Sequence, residues 1–359
     1  MIQTVIKFAF LFSILGIFAC SNDVVRGPAK AKPKAFGKMN DVVVLTEKSI
    51  WEGAVGDSIR YYFAGEFPVT PRPEPLFDLK YYPTEKIEYE DALRELRTYI
   101  VVVDLSDEES ATTRMLKKDL GNEKFARAKS DPNYTTSLGK NKWATNQILI
   151  YVFGNSHNEL FSLIRDNFPA VATRIKNHDA QQLASLTYAA GDNLGLSEEI
   201  KNRYGFDIRI PADFSVALDD KQNNYFWLIK DMQGIGAMSI TFSEYPYKNT
   251  EQLSKENFKI IRNKHGNDRN YSGETSSTML INDIDMPVLE YSFNKNGSYG
   301  KEFRGIWELN NDFIGGPFIS YLFINEKKNT VLFVDTWVMA PGKTKRRYLQ
   351  QLELIVKGK

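Results

Sequence analysis

The sequence predicts an α+β protein of two packed α/β-sandwich domains, the second built on an antiparallel meander sheet flanked by helices. In the first half, the apolar runs at residues 99–105 and 147–153 are typical of buried central strands and are separated by helical patterns. In the second half, residues 289–293 alternate apolar and polar side chains, as in a strand with one buried face. Residues 39–359 also exceed the usual size of a single core, so we expect two domains.

Composition changes divide the chain into four predicted parts. A glycine-rich and charged stretch near residues 191–204 separates a mixed region from a strand-rich one. We therefore predict a signal peptide at 1–19, a flexible tether at 20–38, an N-terminal α/β domain at 39–200 and a C-terminal antiparallel domain at 201–359.

In the first domain, hydrophobic periodicity predicts alternating strands and helices. Two Ser-x-x-Glu capping boxes, at Ser49 and Ser156, predict the starts of two helices. Four prolines between residues 68 and 75 predict an irregular loop. The predicted strands are 41–45, 99–105 and 147–153, and the other predicted helices are 89–97 and 110–120.

In the second domain, short segments bounded by Gly, Asn or Asp predict a meander. One face of this sheet is expected to pack on helices. The predicted strands are 215–218, 225–230, 237–244, 275–281, 286–294, 302–309, 318–324 and 331–339, and the predicted helices are 250–264 and 344–356.

The first twenty residues predict where the protein works. Lys7 precedes an apolar core from Phe8 to Phe18, which is too short to span a bilayer and has the length of a cleaved signal. The segment ends Ile-Phe-Ala-Cys, a lipobox, and Cys20 is the only cysteine in the chain. We therefore expect Cys20 to carry a lipid anchor, which holds a protein on a membrane when it has two or more acyl chains. An ordinary secreted protein and an uncleaved anchor are the alternatives.

The mature chain then has no cysteine left for a disulfide, so its core alone must hold it together. Ser21 follows the cysteine, which favours the outer membrane over the inner one. With 46 basic and 45 acidic side chains, the chain lacks the basic excess of a general nucleic-acid binder. The tether residues include four lysines, which would stay solvated or rest on anionic headgroups.

The stretches at residues 304–309, 311–320, 339–341 and 345–353 resemble an uncharacterised lipoprotein family of the Bacteroidota, a domain of unknown function. This resemblance implies a bacterial envelope and supplies no activity. Residues 206–359 are similar in element order to the PsbP-type sandwich, whose members mostly act as binding or assembly modules. Surface lipoproteins of that phylum usually carry an acidic tract after the cysteine; residues 21–24 hold one acid, which favours the periplasmic face.

Polar residues on the predicted meander form one candidate site. Asp335 lies within an apolar strand, where a charge needs a partner. Arg304, Glu308 and Glu290 lie on nearby strands, and if they share a face with Asp335 they form a charged cluster. A structural ion pair, a solvated face and an acid–base site are all compatible with this pattern.

A second candidate is a contact surface on the proline-rich loop at residues 67–83. Long loops are uncommon without a purpose, and Phe77, Tyr81 and Tyr82 are aromatic residues of the kind that anchor recognition surfaces. Gly315 and Gly316, next to a proline, predict a turn that would serve as a ligand loop.

Catalytic and metal signatures are not found in the sequence. The three histidines lack metal-ligand spacing, and no nucleophile or phosphate-loop motif occurs. We therefore expect no metal, no cofactor, and a binding or scaffold role with a protein partner in the envelope. The alternatives are an envelope hydrolase using the acidic residues of the second sheet, and a carrier of a lipid or other hydrophobic ligand.

Overall fold

The computed structural model describes residues 31–267 and 277–358, and it confirms the predicted α+β class. The first unit holds five strands and six helices. Its strands are β1 Asp41–Thr46, β2 Asp78–Pro83, β3 Thr98–Asp104, β4 Thr136–Lys140 and β5 Ile148–Gly154. Its helices are α1 Lys48–Trp51, α2 Ala54–Phe63, α3 Lys86–Tyr89, α4 Asp91–Arg94, α5 Ala111–Ser130 and α6 His157–Thr187.

The sheet of the first unit runs in the order β2-β1-β3-β5-β4, with β4 antiparallel and the others parallel. Every residue of β3 and β5 is buried, because helices cover both faces of the sheet. Helices α2 and α6 pack on one face and α5 on the other.

Helix capping in the structure confirms one predicted helix start and differs from another. Ser156 accepts a hydrogen bond from the Glu159 backbone N–H at 3.2 Å, so α6 begins as predicted. Ser49, by contrast, lies inside α1, and α2 begins after Gly53 with no side-chain cap. Helix α5 consists of two helical segments that meet at Gly121, whose φ of +76° and ψ of 168° are not helical. The predicted end at residue 120 coincides with this kink, and a second segment continues to Ser130.

Among the residues that the structure describes, the second unit holds eight strands, three α-helices and a short 3-10 helix at Thr250–Leu253. Its strands are β6 Ser215–Asp220, β7 Tyr225–Asp231, β8 Ala237–Pro246, β9 Met279–Asn282, β10 Leu289–Lys295, β11 Ser298–Leu309, β12 Asp312–Asn325 and β13 Thr330–Met339. Its helices are α7 Leu194–Tyr204, α8 Lys255–Asn267 and α9 Arg346–Lys357.

The second sheet is antiparallel, in the order β10-β11-β12-β13-β8-β7-β6, with β9 paired to β11. Helices cover both of its faces, whereas the sequence indicated one. Helices α7 and α9 pack on one face and α8 on the other, where Phe258 stacks on Phe303 with ring centroids 4.2 Å apart. The predicted boundary at residue 200 falls inside α7, whose buried face packs on this second sheet.

Gly315 and Gly316 lie inside β12 and do not form the predicted turn. A Cβ on Gly316 would lie 2.0 Å from the Val338 carbonyl oxygen, and one on Gly315 would lie 2.6 Å from that of Trp307. These glycines therefore permit close approach of neighbouring strands, and no ligand loop forms there.

The loop between α2 and β2 joins the two units. Glu74 is buried and accepts hydrogen bonds from the backbone N–H groups of Lys345 and Arg346, at 2.6 and 2.9 Å. It therefore caps the first turn of α9 from the other unit, where a carboxylate is favoured by the helix dipole. Arg346 in turn pairs with Asp78 at 2.5 Å, and Asn40 and Gln350 exchange two amide hydrogen bonds of 3.1 Å.

Part of the predicted tether is fixed to the first unit. In the segment of residues 33–37, which we call the strap, Thr145 donates its backbone N–H to Pro33 and accepts from Ala35, at 2.8 and 2.9 Å. Phe36 donates to Glu95 at 2.8 Å. The backbone groups that precede β3 and β5 thus supply partners for the strap, and the ordered body begins earlier than residue 39.

Candidate functional site

The predicted charged cluster separates into different locations. Asp335 is buried and faces α8, where its carboxylate lies 3.3 Å from Nε of Arg262 and accepts a 2.5 Å hydrogen bond from Ser320. The Arg262 guanidinium also lies 4.0 Å from the Phe318 ring centroid. Burial raises the pKa of Asp335, and the Arg262 charge opposes that rise.

Arg304 faces the opposite side of the sheet, toward α9. Its Nε lies 2.5 Å from Glu302 and its Nη2 lies 2.7 Å from Glu353. Lys357, one turn after Glu353, contacts both acids at 2.5 and 2.7 Å. Burial alone would raise the pKa of Glu353, but the Arg304 and Lys357 cations outweigh it and lower that pKa.

Glu290 and Glu308 belong to neither group. Glu290 pairs with Lys301 at 2.7 Å. Glu308 is exposed and accepts a 2.8 Å hydrogen bond from the Asn282 amide. The four predicted residues are therefore spread over separate surroundings, and only Arg304 borders a sizeable cleft.

That cleft lies between the two units and has a volume of about 490 Å³. The wall from the second unit carries the ion-paired group of Glu302, Arg304, Glu353 and Lys357. The apolar lining comes from both units and consists of Met39, Phe67, Pro68, Leu76, Leu183, Phe293 and Leu354. We call this the inter-unit cleft.

The edge of the inter-unit cleft carries an exposed aromatic side chain. Tyr291, on β10, is 44% exposed, and the Arg304 guanidinium lies 5.9 Å from its ring centroid. On the first unit, Asp179 accepts a 2.8 Å hydrogen bond from the Asn40 backbone N–H. The cleft thus combines an apolar floor with polar groups already held in position, which is the usual make-up of a ligand site at a domain junction.

The predicted contact surface contributes to this cleft through residues other than those expected. Phe77 is 1% exposed and packs in the core of the first unit. Tyr81 and Tyr82 belong to β2, and Tyr81 stacks on Trp51 with ring centroids 4.7 Å apart. Hydrogen bonds from the start of α9 to Glu74 and to the Pro75 carbonyl hold this loop against the second unit. Phe67 and Leu76 of the same loop line the inter-unit cleft.

Sequence patterns missed Phe67, Tyr291, Phe293, Glu353 and Lys357 as members of one site. The i,i+4 spacing of Glu353 and Lys357 on the last helix was the available signal for an ion pair. Nothing local to that helix indicates that Arg304 lies opposite.

Cys20, the predicted lipidation site, lies outside the described residues. Within residues 31–267 and 277–358, no helix combines the length and apolar composition needed to cross a bilayer. The same residues contain no group of three or more His, Cys, Asp or Glu side chains arranged to hold a metal ion.

Two family models match this chain, both described as domains of unknown function. DUF8532 matches residues 35–187 and DUF4837 matches residues 193–358. A search of curated proteins gave no match. A 1.50 Å crystal structure from Bacteroides thetaiotaomicron VPI-5482 is similar at 13% identity and a TM-score of 0.16. The match covers 40% of this chain and 41% of that one, and so low a similarity carries no conclusion.

Proposed function

We propose that this protein is a lipid-anchored envelope module that binds a protein partner and does not catalyse a reaction, with the inter-unit cleft as its binding site. The observation that carries the proposal is the composition of that cleft. Its apolar floor comes from both units, and its charged groups are engaged with one another. Such a surface offers shape and apolar contact to a partner.

The spacing of the acidic residues argues against the hydrolase alternative. Asp335 aligns with Ser320, which aligns with Phe303, and Glu308 lies five residues further along β11. At about 3.4 Å per residue, the two carboxylates are separated by about 17 Å along the strand direction alone. Paired carboxylates of glycosidases, by comparison, are separated by roughly 5–10 Å.

The packing of the second unit argues against the lipid-carrier alternative. A carrier needs open apolar space between sheet and helices. Instead, the side chains of α8 and the sheet stack closely, with Phe258 in contact range of Phe303, Phe318 and Phe333. On the other face, the buried side chains of α9 pack against the sheet.

The location in the envelope rests on the first twenty residues. We infer outer-membrane anchoring through Cys20, with the folded body on the periplasmic side. We also infer membership of the Bacteroidota lipoprotein group and a PsbP-type C-terminal unit; the antiparallel sheet with helices is compatible with that inference. A near-neutral chain is consistent with a protein partner and not with a nucleic acid.

Site-directed photo-crosslinking tests the binding site. Benzoylphenylalanine in place of Tyr291 would stand at the edge of the inter-unit cleft. Tyr299 provides a matched control because it is also 44% exposed and lies on the same hairpin. Tyr299 opposes Asn294, three residues from Tyr291, so it projects from the other face.

We expect illumination of intact envelopes to give a discrete protein adduct at position 291 and none at position 299. Equal adducts at both positions, or none at 291, would refute the assignment of the cleft.

A further inference from the structure

A second groove lies where the parallel strands of the first unit begin. It has a volume of about 830 Å³ and is bordered by the strap, the residues that precede β3 and β5, and the C-terminal part of α6. The residues that matter for its chemistry are Lys34, Arg97, Lys140, Asn146, His178 and Gln182. We call it the strap groove, and none of these six residues lines the inter-unit cleft.

Arg97 lies at the base of the strap groove, and only part of its guanidinium group has a partner among the described residues. Its side chain is 6% exposed, and its Nη2 lies 3.3 Å from Asp179. Its Nε and Nη1 have no hydrogen-bond partner among the described residues. Asp179 is shared, because it also accepts the Asn40 backbone N–H. A buried guanidinium with two unused nitrogens favours a nearby anion.

Two lysines add positive charge at the rim. Lys34, in the strap, and Lys140, at the end of β4, are exposed and form no ion pair with any residue that the structure describes. Asp179 offsets one of the three cations, so the groove keeps two positive charges. Asn146 and Gln181 add exposed amide groups to the lining.

His178 adds a polar atom without adding charge. Its Nε2 is buried and has no hydrogen-bond partner among the described residues. Burial and the charges of Arg97 and Lys140 lower the pKa of His178 to about 4, so the ring is neutral at pH 7.

We propose that the strap groove binds a phosphate monoester group. Its two net positive charges match the roughly −1.5 to −2 of such a group at neutral pH. Lysine and arginine are the side chains that proteins use for phosphate. The phosphate belongs either to a soluble molecule or to a lipid headgroup. A headgroup is within reach, since the 13 residues from Cys20 to Pro33 extend at most about 43 Å.

Calorimetric titration of the full chain in detergent tests the proposal. The probes are inorganic phosphate and dihexanoyl phosphatidic acid, with dihexanoyl phosphatidylcholine as the neutral control. Removing Arg97 would leave buried Asp179 unpaired and endanger folding, so the variants are Lys34→Gln and Lys140→Gln at the exposed rim. Lys118→Gln, an exposed lysine on α5, is the matched control for charge.

We expect Lys34→Gln and Lys140→Gln each to weaken phosphate binding by about fivefold, the value of one exposed ion pair, and Lys118→Gln to leave it unchanged. Tighter binding of phosphatidic acid than of inorganic phosphate would assign the groove to a lipid headgroup, and equal binding to a soluble phosphate. The proposal is wrong if neither probe binds or if both rim variants bind like the parent. Crosslinking at Tyr291 has its own outcome, so the two sites are tested separately.

Discussion

At the scale of single residues, Asp335 places a charge in the core of the second unit. Its partner Arg262 is 2% exposed and Asp335 itself is 5% exposed, so neither side chain reaches water. Two buried charges are tolerated because they face each other and Ser320 adds a hydrogen bond.

We predict that Asp335→Asn lowers the free energy of unfolding by about 3–5 kcal/mol, since Arg262 would keep a buried charge without a counter-ion. Glu290→Gln removes the more exposed pair with Lys301 and should cost less than about 1 kcal/mol. Urea denaturation followed by circular dichroism measures both. Equal losses in the two variants would contradict the special role of the buried pair.

His178 gives a pH dependence with a defined sign. Its pKa falls from 6.5 to about 4 in the folded protein, so unfolding lets it take up a proton in that interval. The stabilising effect of the neutral ring is therefore complete above pH 6.5 and is lost as the pH falls towards 4.

Between pH 6.5 and 4, we predict that the free energy of unfolding falls by about 1–2 kcal/mol less in His178→Gln than in the parent protein. This figure allows for screening of the partly exposed ring by solvent. Arg97 and Lys140, whose charges act on the ring, stay in place in this variant, and so does Asp179, the partner of Arg97. The measurement is the unfolding free energy of both proteins at several pH values. Parallel curves for parent and variant would disprove the prediction.

The sequence predicted that Asp335 needs a partner but not which residue supplies it. Arg262 lies 73 positions earlier in the chain, on a helix that packs across the sheet. The burial of Asp335 could be predicted from the local sequence, because the residues around it in the strand are apolar. Which face it points to depends on register, and a shift of one residue reverses the face. Arg304, for example, aligns through Ile319 with Thr336, the residue next to Asp335. Because neighbouring residues of a strand point to opposite faces, Arg304 and Asp335 lie on opposite sides of the sheet.

At the scale of secondary-structure elements, the cap on α9 comes from another unit. Lys343, Lys345, Arg346 and Arg347 stand at the start of this helix, where the dipole disfavours cations. Glu74 offsets that charge through two backbone hydrogen bonds. The proline-rich loop therefore acts as a link between the units.

We predict that Glu74→Gln destabilises the protein by about 1–2 kcal/mol, because the helix start loses its negative charge and its strongest acceptor. Glu66→Gln, an exposed position in the same loop, is the control and should change stability by less than about 0.5 kcal/mol. Thermal unfolding and limited proteolysis between residues 187 and 194 report the effect. Unchanged melting and protease resistance would show that the cap is unimportant.

Strong periodicity identified the elements well, and weak periodicity did not. Strands β3, β5 and β13 were predicted to within one residue at each end, because continuous apolar runs mark them. Strand β11 was predicted from residue 302 but begins at Ser298, because its first residues are mostly polar. Strands β2 and β4 were missed; both lie at sheet edges, and neither has a buried residue. The capping pattern at Ser49 was misleading, since the chain turns at Gly53 before α2 can form.

At the scale of the whole molecule, the lipid anchor that we propose at Cys20 would decide where the protein works. We predict that Cys20→Ala moves the protein from the membrane fraction to the soluble fraction or leaves its precursor unprocessed, with loss of acyl label. Ser21→Ala, the neighbouring position, should keep both the label and the membrane fraction. An unlabelled parent that fractionates like Cys20→Ala would refute the anchor.

The inter-unit cleft shows what sequence patterns leave undetermined. Its walls come from the loop at residues 67–76, α6, the β10–β11 hairpin and α9. Each of these elements has an ordinary local signal, but the cleft forms only through the way in which the two sheets and their helices pack together. Docking rests on a few long-range contacts such as Glu74 with α9 and Asn40 with Gln350, which leave no periodic trace.

The position of the strap determines how the first unit would respond to a pulling force on its N-terminal side. Within the part of the chain that the structure describes, its hydrogen bonds to Thr145 and Glu95 are the first backbone bonds that tension from the N-terminal side would load. Because they lie one after another along the segment, a pull would break them in sequence, starting at Pro33. Peeling would carry Lys34 away from Arg97 and Lys140. If the protein is anchored through Cys20 as we propose, force along the tether would therefore open the positively charged groove beneath the strap.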